Sequence, residues 1–216
     1  MKTPLLLAAA VLGLAAATPA SAQVVDFESS PSGTVADGLT LGGITFSTAL
    51  GSGLEIGNYG AQGDGQSLLV RNDTNGNFLR GAVAGGSNYL SFDFGNDDPF
   101  FTTLTDLATL RVFSGATLLS TLTLALNRDD IMNQTMVYSG AAFDNFEFAY
   151  TDAAGNPFTG GGAAAVGLIE VVDNFRLAPA GVPEPASWLM LLLGFGAIGF
   201  GLRNRKAQQN LAVSYA

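Results

Sequence analysis

Asn88-Tyr89-Leu90-Ser91-Phe92-Asp93-Phe94 is the stretch that decides the fold. Its large apolar side chains fall on alternate positions, Leu90, Phe92 and Phe94, with Ser91 and Asp93 between them. Successive side chains of a strand point to opposite faces, so this pattern describes a strand with one dry face and one wet face. Residues 145–150 repeat it, burying Phe146, Phe148 and Tyr150 and exposing Asn145 and Glu147. Residues 117–124 place Leu118, Leu122 and Leu124 on one side. Residues 39–46, 66–70, 108–113 and 168–177 are further strand-forming segments. Between them lie turn formers such as Gly51-Ser52-Gly53, Asp64-Gly65, Gly85-Gly86 and Gly155-Asn156-Pro157. Short alternating strands joined by such turns predict an all-β chain, an antiparallel β-sandwich.

Both ends of the chain depart from that pattern. At the front, Lys2 precedes an apolar run, and Ala20-Ser21-Ala22 supplies the small-x-small site of a secretory signal peptide. Residues 1–22 are therefore expected to be a cleavable signal helix passed through the secretion translocon, with Ala20 and Ala22 flanking the cut. At the back stand Pro183-Glu184-Pro185, Trp188, an uncharged run over residues 189–202, and then Arg203, Arg205 and Lys206. The prolines keep the backbone extended. Trp suits a membrane–water boundary, and a basic cluster stops transfer and stays in the cytoplasm. The 16 residues of 187–202 would make about 24 Å of helix. A permanent span wants about 20 apolar residues. This short transmembrane segment therefore reads as a temporary anchor better than as a lasting one.

The tail resembles the PEP-CTERM protein-sorting signal of Gram-negative bacteria in its Pro-Glu-Pro-x-x-Trp form. The resemblance implies recognition of Pro183, Glu184, Pro185 and Trp188 by an exosortase-type membrane enzyme, removal of the hydrophobic tail, and delivery outside the cell. The expected layout is a signal peptide (1–22), a β-sandwich ectodomain (23–178), a linker with the Pro-Glu-Pro motif (179–186), the transmembrane segment (187–202) and a basic cytoplasmic tail (203–216). The ectodomain in turn resembles the jelly-roll sandwiches that precede such tails. That likeness rests on Val25-Asp26-Phe27-Glu28, Gly42-Gly43-Ile44-Thr45-Phe46, Tyr89 to Phe94, Asn127-Arg128-Asp129-Asp130 and Val172-Asp173-Asn174-Phe175. Relatives of that architecture include carbohydrate-binding modules, although fold does not fix function.

Composition narrows the chemistry. The chain has no histidine and no cysteine, and its lysines are confined to positions 2 and 206. These absences exclude Ser-His-Asp and Cys-His catalysis, a Ser-Lys dyad in the ectodomain, and histidine- or thiolate-ligated zinc. Between residues 23 and 182, five arginines face 17 acidic residues, a net charge of −12. Such a surface repels nucleic acid. A carboxylate pair, as in glycoside hydrolysis, is the surviving enzymatic option. A carboxylate-dependent glycosidase or lyase is thus the alternative to a non-catalytic matrix protein, and an uncleaved membrane-anchored surface protein is another.

Calcium is the more natural use of so many carboxylates, since it takes six to eight oxygen ligands. Asp26 and Glu28 share a face if residues 24–28 form a strand. Asp173 falls on the face carrying Ile169, Val171, Phe175 and Leu177, where an ionised carboxylate must find a partner or a metal. Asp173 with Asp26 or Glu28 is the expected structural calcium site; the alternative is an Asp173 bonded to backbone amides or an arginine. Asn96-Asp97-Asp98 and Asp129-Asp130 read as acidic turn residues. For carbohydrate, the sole tryptophan belongs to the tail, leaving Tyr59 as the candidate stacking platform, with Phe100-Phe101 a second. The protein is expected outside the cell, at the surface or in the matrix, in association with exopolysaccharide.

Overall fold

Two unusually long strands organise the molecule. The computed structural model describes residues 23–71, 76–158, 169–179 and 193–196. Eleven strands are found among them: β1 Gln23–Val25, β2 Thr34–Val35, β3 Thr40–Leu41, β4 Ile44–Thr48, β5 Leu54–Asn58, β6 Gln66–Val70, β7 Leu79–Gly95, β8 Leu107–Ser114, β9 Thr117–Ala125, β10 Gln134–Thr151 and β11 Glu170–Pro179. Every pairing is antiparallel. The strands β7 and β10, of 17 and 18 residues, far exceed the ordinary five or six. They pair along their lengths, but the register slips between Ser139 and Phe143 and again before Asn145, opposite Gly85-Gly86. Both glycines have positive φ, a conformation that costs glycine little. Such irregularities bend a ribbon.

The bend lets one ribbon serve two leaves. Before it, β7 lies between β4 and β10, whose far side carries β8 and then β9. Beyond it, β7 lies between β10 and β11; β11 carries β6 and β1 on its other edge, and β5 and β2 follow β6. Folding the leaves together brings Phe46 of β4 against Phe175 of β11, ring centroids 5.2 Å apart. Phe92 likewise meets Phe148 at 4.8 Å and Phe175 at 5.0 Å. Leu90, Phe92, Phe94, Phe146, Phe148 and Tyr150 are all buried, as their alternation predicts. The architecture is all-β and antiparallel, closed around one phenylalanine-rich core.

Three local expectations are corrected. Residues 39–46 form two strands and not one, because Gly42-Gly43 makes a tight hairpin turn with both φ values positive. The first strand ends at Val25, so Asp26 and Glu28 lie beyond it, Glu28 in a turn, although the burial of Val25 and Phe27 still leaves both acids on the exposed side. On β9, a register slip opposite Val112 and Phe113 leaves Leu119 unpaired. Leu118 therefore sits opposite the outward-facing Phe113, whereas Leu122 and Leu124 sit opposite the buried Leu110 and Ala108. The signal helix and the C-terminal transmembrane helix fall on residues 1–22 and 187–202, outside the described residues apart from a helical turn at 193–196. Among the described residues, no helix is long and apolar enough to cross a membrane.

Candidate functional site

The outer face of the β4–β7–β10–β8 leaf carries a row of polar groups set by register. Ser47 pairs with Arg80, Arg80 with Glu147, and Glu147 with Arg111. In the neighbouring row, Thr45, Ala82, Asn145 and Phe113 follow one another. Arg80 Nε donates to Glu147 Oε1 at 3.1 Å, and the guanidinium stacks 5.0 Å above the centre of the Phe78 ring. Arg111 Nη2 donates to the carbonyl of Gly155. Opposite Gly81 lies Phe146, whose buried ring occupies the space where a side chain at 81 would be. On the outer face only the short Ala82 stands between longer side chains, and with Ser47, Arg80, Asn145 and Glu147 as walls the surface there forms an open trough of about 320 Å³. A carboxylate, a guanidinium, an amide and a hydroxyl together present both donors and acceptors to a polyol.

A second cluster forms on the outer face of β11. Asn174 has φ 55°, a left-handed conformation that asparagine tolerates, and the register slips there between Asp173 and Arg176. The slip reverses the strand's faces. Val172, Phe175 and Leu177 point into the core, and Asp173 points away from them. The expectation that Asp173 shares a face with Phe175 and Leu177 is corrected accordingly. Asp173 is nonetheless 1% exposed, with Ser67 of β6 hydrogen-bonded to it. Asn174 N–H donates to Asp173 Oδ1 at 2.6 Å and Ser67 Oγ to Oδ2 at 3.3 Å. Burial pushes this carboxyl up to about 7; those two hydrogen bonds oppose the rise, and the charges of Asp64 and Glu28 add to it.

Glu28 reaches the cluster through a gap at Gly65. A Cβ there would lie 1.8 Å from Glu28 Oε1, and that oxygen accepts the Gln66 N–H at 2.9 Å. Asp64 Oδ2 accepts from Asn174 Nδ2 at 3.4 Å. Glu28 and Asp173 are thus brought together with Asp64, which the sequence reading did not include. Asp26 is exposed, with Val25 and Phe27 buried on either side of it. The Asp64-Gly65 turn was legible as a turn, but its position over β11 follows from β6 pairing with β11.

The remaining assignments divide plainly. Tyr59 is half-buried at the end of β5, where it bears on Arg71, itself paired with Glu55 at 2.5 Å. Phe100 is 80% exposed and meets Phe101 edge to face at 5.2 Å. Asp97 is buried and accepts the N–H groups of Arg128 and Asp130 at 2.7 and 3.1 Å, tying two loops together. Ala20, Ala22, Pro183, Glu184, Pro185, Trp188, Arg203, Arg205 and Lys206 lie outside the described residues. The trough residues were missed because Arg80, Ala82 and Ser47 carry no motif; they meet only across β4, β7 and β10.

The tail is decided by comparison with known families, where residues 181–206 match the protein-sorting motif. The chain carries a PEP-CTERM protein-sorting motif. That motif implies an exported protein processed by an exosortase-type enzyme. No curated protein matches the sequence. Two solved structures are similar at low level. One holds the CBM22-1–GH10 modules of Clostridium thermocellum endo-1,4-β-D-xylanase 10B complexed with xylohexaose, with TM-score 0.39 and 11% identity over 75% of this chain. This chain spans 28% of that one. The other is a carbohydrate-binding module of Cellvibrio mixtus lichenase 5A in complex with cellotriose, with TM-score 0.33 and 10% identity over 76% of this chain and all of that one.

Proposed function

We propose that this PEP-CTERM protein is a non-catalytic component of the cell surface or extracellular matrix that holds exopolysaccharide in the trough over Gly81 and Ala82. One observation carries this reading: an exported domain presents a row of mutually neutralising polar groups, Ser47, Arg80, Glu147 and Asn145, on an open sheet face. A neutral site of that kind suits the hydroxyls of a glycan. Among the residues lining it, Glu147 is the one carboxylate, and Arg80 holds it. A hydrolase working by two carboxyl groups needs a second within reach. In this reading the signal peptide takes the chain through the translocon, the tail holds it briefly in the inner membrane, and cleavage near Pro183–Pro185 releases it.

The test of binding is retention on the host's own exopolysaccharide by affinity electrophoresis. Arg80→Ala and Glu147→Ala are each expected to weaken retention about tenfold or more, the equivalent of one lost charge-assisted contact. Retention that survives both but falls on Tyr59→Ala would move the glycan to Tyr59; no retention by the wild type would end the proposal. The route is tested by intact mass in the native host. A species from Gln23 to the Pro183–Pro185 region is expected extracellularly, and Glu184→Ala is expected to hold the full-length tail in the membrane. Equal processing of both would contradict the assigned role of Glu184.

We also propose that calcium binds at Asp173, Glu28 and Asp64. All three are oxygen donors, Glu28 lies in the gap that Gly65 leaves, and the charges of Asp64 and Glu28 act on the buried Asp173. Among the described residues no three acidic side chains stand close enough together to hold a metal ion, so binding requires these three to draw together around it. The ion would tie the turn after β1 and the segment before β6 to β11, stabilising the fold without a part in any reaction.

A further inference from the structure

The side of the molecule formed by β9 and the first half of β10 differs from the rest of the surface. β9 ends the strand order of its leaf, and its outer edge meets no strand among the described residues. It is nine residues long, Thr-Leu-Leu-Ser-Thr-Leu-Thr-Leu-Ala, with no charge and no proline. Residues 134–139 of β10, which pair with β7 alone, form the open edge of the other leaf. Gln134 joins the two edges, accepting from Asn127 N–H and donating to the carbonyl of Ala125. From 117 to 125 and from 134 to 142 no residue is charged. Leu118, Leu124 and Val137 are 50, 38 and 46% exposed there. Within the two segments themselves there is no charge; the nearest are Arg111 opposite Thr121, Asp93 bonded to Thr135, Asp144 beside Gly115, and Arg128, Asp129 and Asp130 past the far end.

Open edges present unpaired N–H and C=O groups, and soluble proteins blunt them with short strands, lysine, proline or bulges. Elsewhere this protein complies, since β2 and β3 are two residues each. On β9 the one such device is the bulge at Leu119, which leaves residues 120–125 regular. We propose that this edge is where a second copy of the chain docks, β9 pairing antiparallel with β9 of the other copy. Charge selects the partner. Two ectodomains of net −12 repel over most orientations, and a β9-to-β9 contact brings no charged side chain of either β9 strand against the other. The sequence is also self-complementary: run antiparallel about Leu122, Thr121 meets Thr123 and Ser120 meets Leu124, with leucine on leucine at the centre. A two-fold contact of this type closes on itself and yields a dimer.

The absence of cysteine makes the test direct. Single cysteines are placed from position 119 to 125 in the full chain, exported by its own signal, with Ser29→Cys as the exposed control. Disulfide-linked dimer on non-reducing gels is expected to peak at one or two neighbouring positions and to fall toward both ends, about tenfold above the control at its maximum, since only paired positions bring Cα atoms within disulfide range. Adding Thr121→Lys or Thr123→Lys to the peak variant, both at exposed edge positions, is expected to return the yield to the control level. A flat profile no higher than Ser29→Cys, or a peak that the lysines leave unchanged, overturns the proposal. Light scattering on the wild-type protein supplies the second arm: twice the chain mass is expected, and a monomer at every concentration overturns it.

Discussion

Phe175→Ala is expected to remove about 3–5 kcal/mol of stability, the largest loss from any single position in the core. Phe175 lies between the leaves, its ring within 5.0–6.2 Å of those of Phe46, Phe92, Phe146 and Phe27. Truncation opens a cavity that strands paired on both sides cannot collapse to fill, and it also ends four ring contacts worth about 0.5–1.5 kcal/mol each beyond their buried area. With no disulfide to limit the unfolded chain, packing must supply the margin of roughly 5–15 kcal/mol typical of such domains. The melting temperature should fall by roughly 10 °C or more. Far-ultraviolet circular dichroism of the processed protein measures it. Phe100→Ala is the matched control, since its ring is solvent-exposed, and it should melt with the wild type. A Phe175→Ala variant melting within a degree or two of wild type would mean that the two leaves do not share one core.

Asp173 should make the metal-free protein lose stability as the pH rises. Its carboxyl titrates at about 7 in the folded protein against an ordinary 3.8, because burial disfavours the charged form. The folded state therefore holds this proton more tightly than the unfolded chain does. The stabilisation is fully present below about pH 4 and is lost progressively until the pH passes about 7. Asp173→Asn keeps the shape and removes the charge. With chelator present it is expected to raise stability at pH 8 by on the order of 1–2 kcal/mol after solvent screening, and to flatten the slope between pH 4 and 7. Calcium reverses the ranking, because it binds the ionised carboxylate: millimolar calcium should raise the wild-type melting temperature at pH 8 and leave Asp173→Asn unmoved. Thermal melts across that pH range, with and without calcium, decide both points. A wild type indifferent to calcium would return Asp173 to a purely structural role, hydrogen-bonded to Asn174 N–H and Ser67.

The functional residues differ in how far their own sequence context reveals them. The sorting motif is legible because every element of it, prolines, tryptophan, apolar run and basic cluster, is adjacent in the chain. The expected neighbourhood of Asp173 with Asp26 or Glu28 rested on terminal strands lying close together, and β1 does pair with β11. Asp64, whose charge acts on Asp173, belongs to a loop whose place beside β11 depends on strand pairing. Tyr59 looked exposed from its glycine neighbours and is instead half-buried near Arg71, since the strand before it is not apparent in the pattern.

By itself the sequence determined the export route, the excluded chemistries and the all-β class, because motif, composition and period-two alternation are local properties. Alternation also determined which phenylalanines fill the core, because β7 and β10 keep their period through the stretches that pair. Tertiary structure alone decided the trough, the direction of Asp173 and the open edge at β9. Each depends on register, and one extra residue, at Asn174 or Leu119, turns the side chains beyond it to the other face.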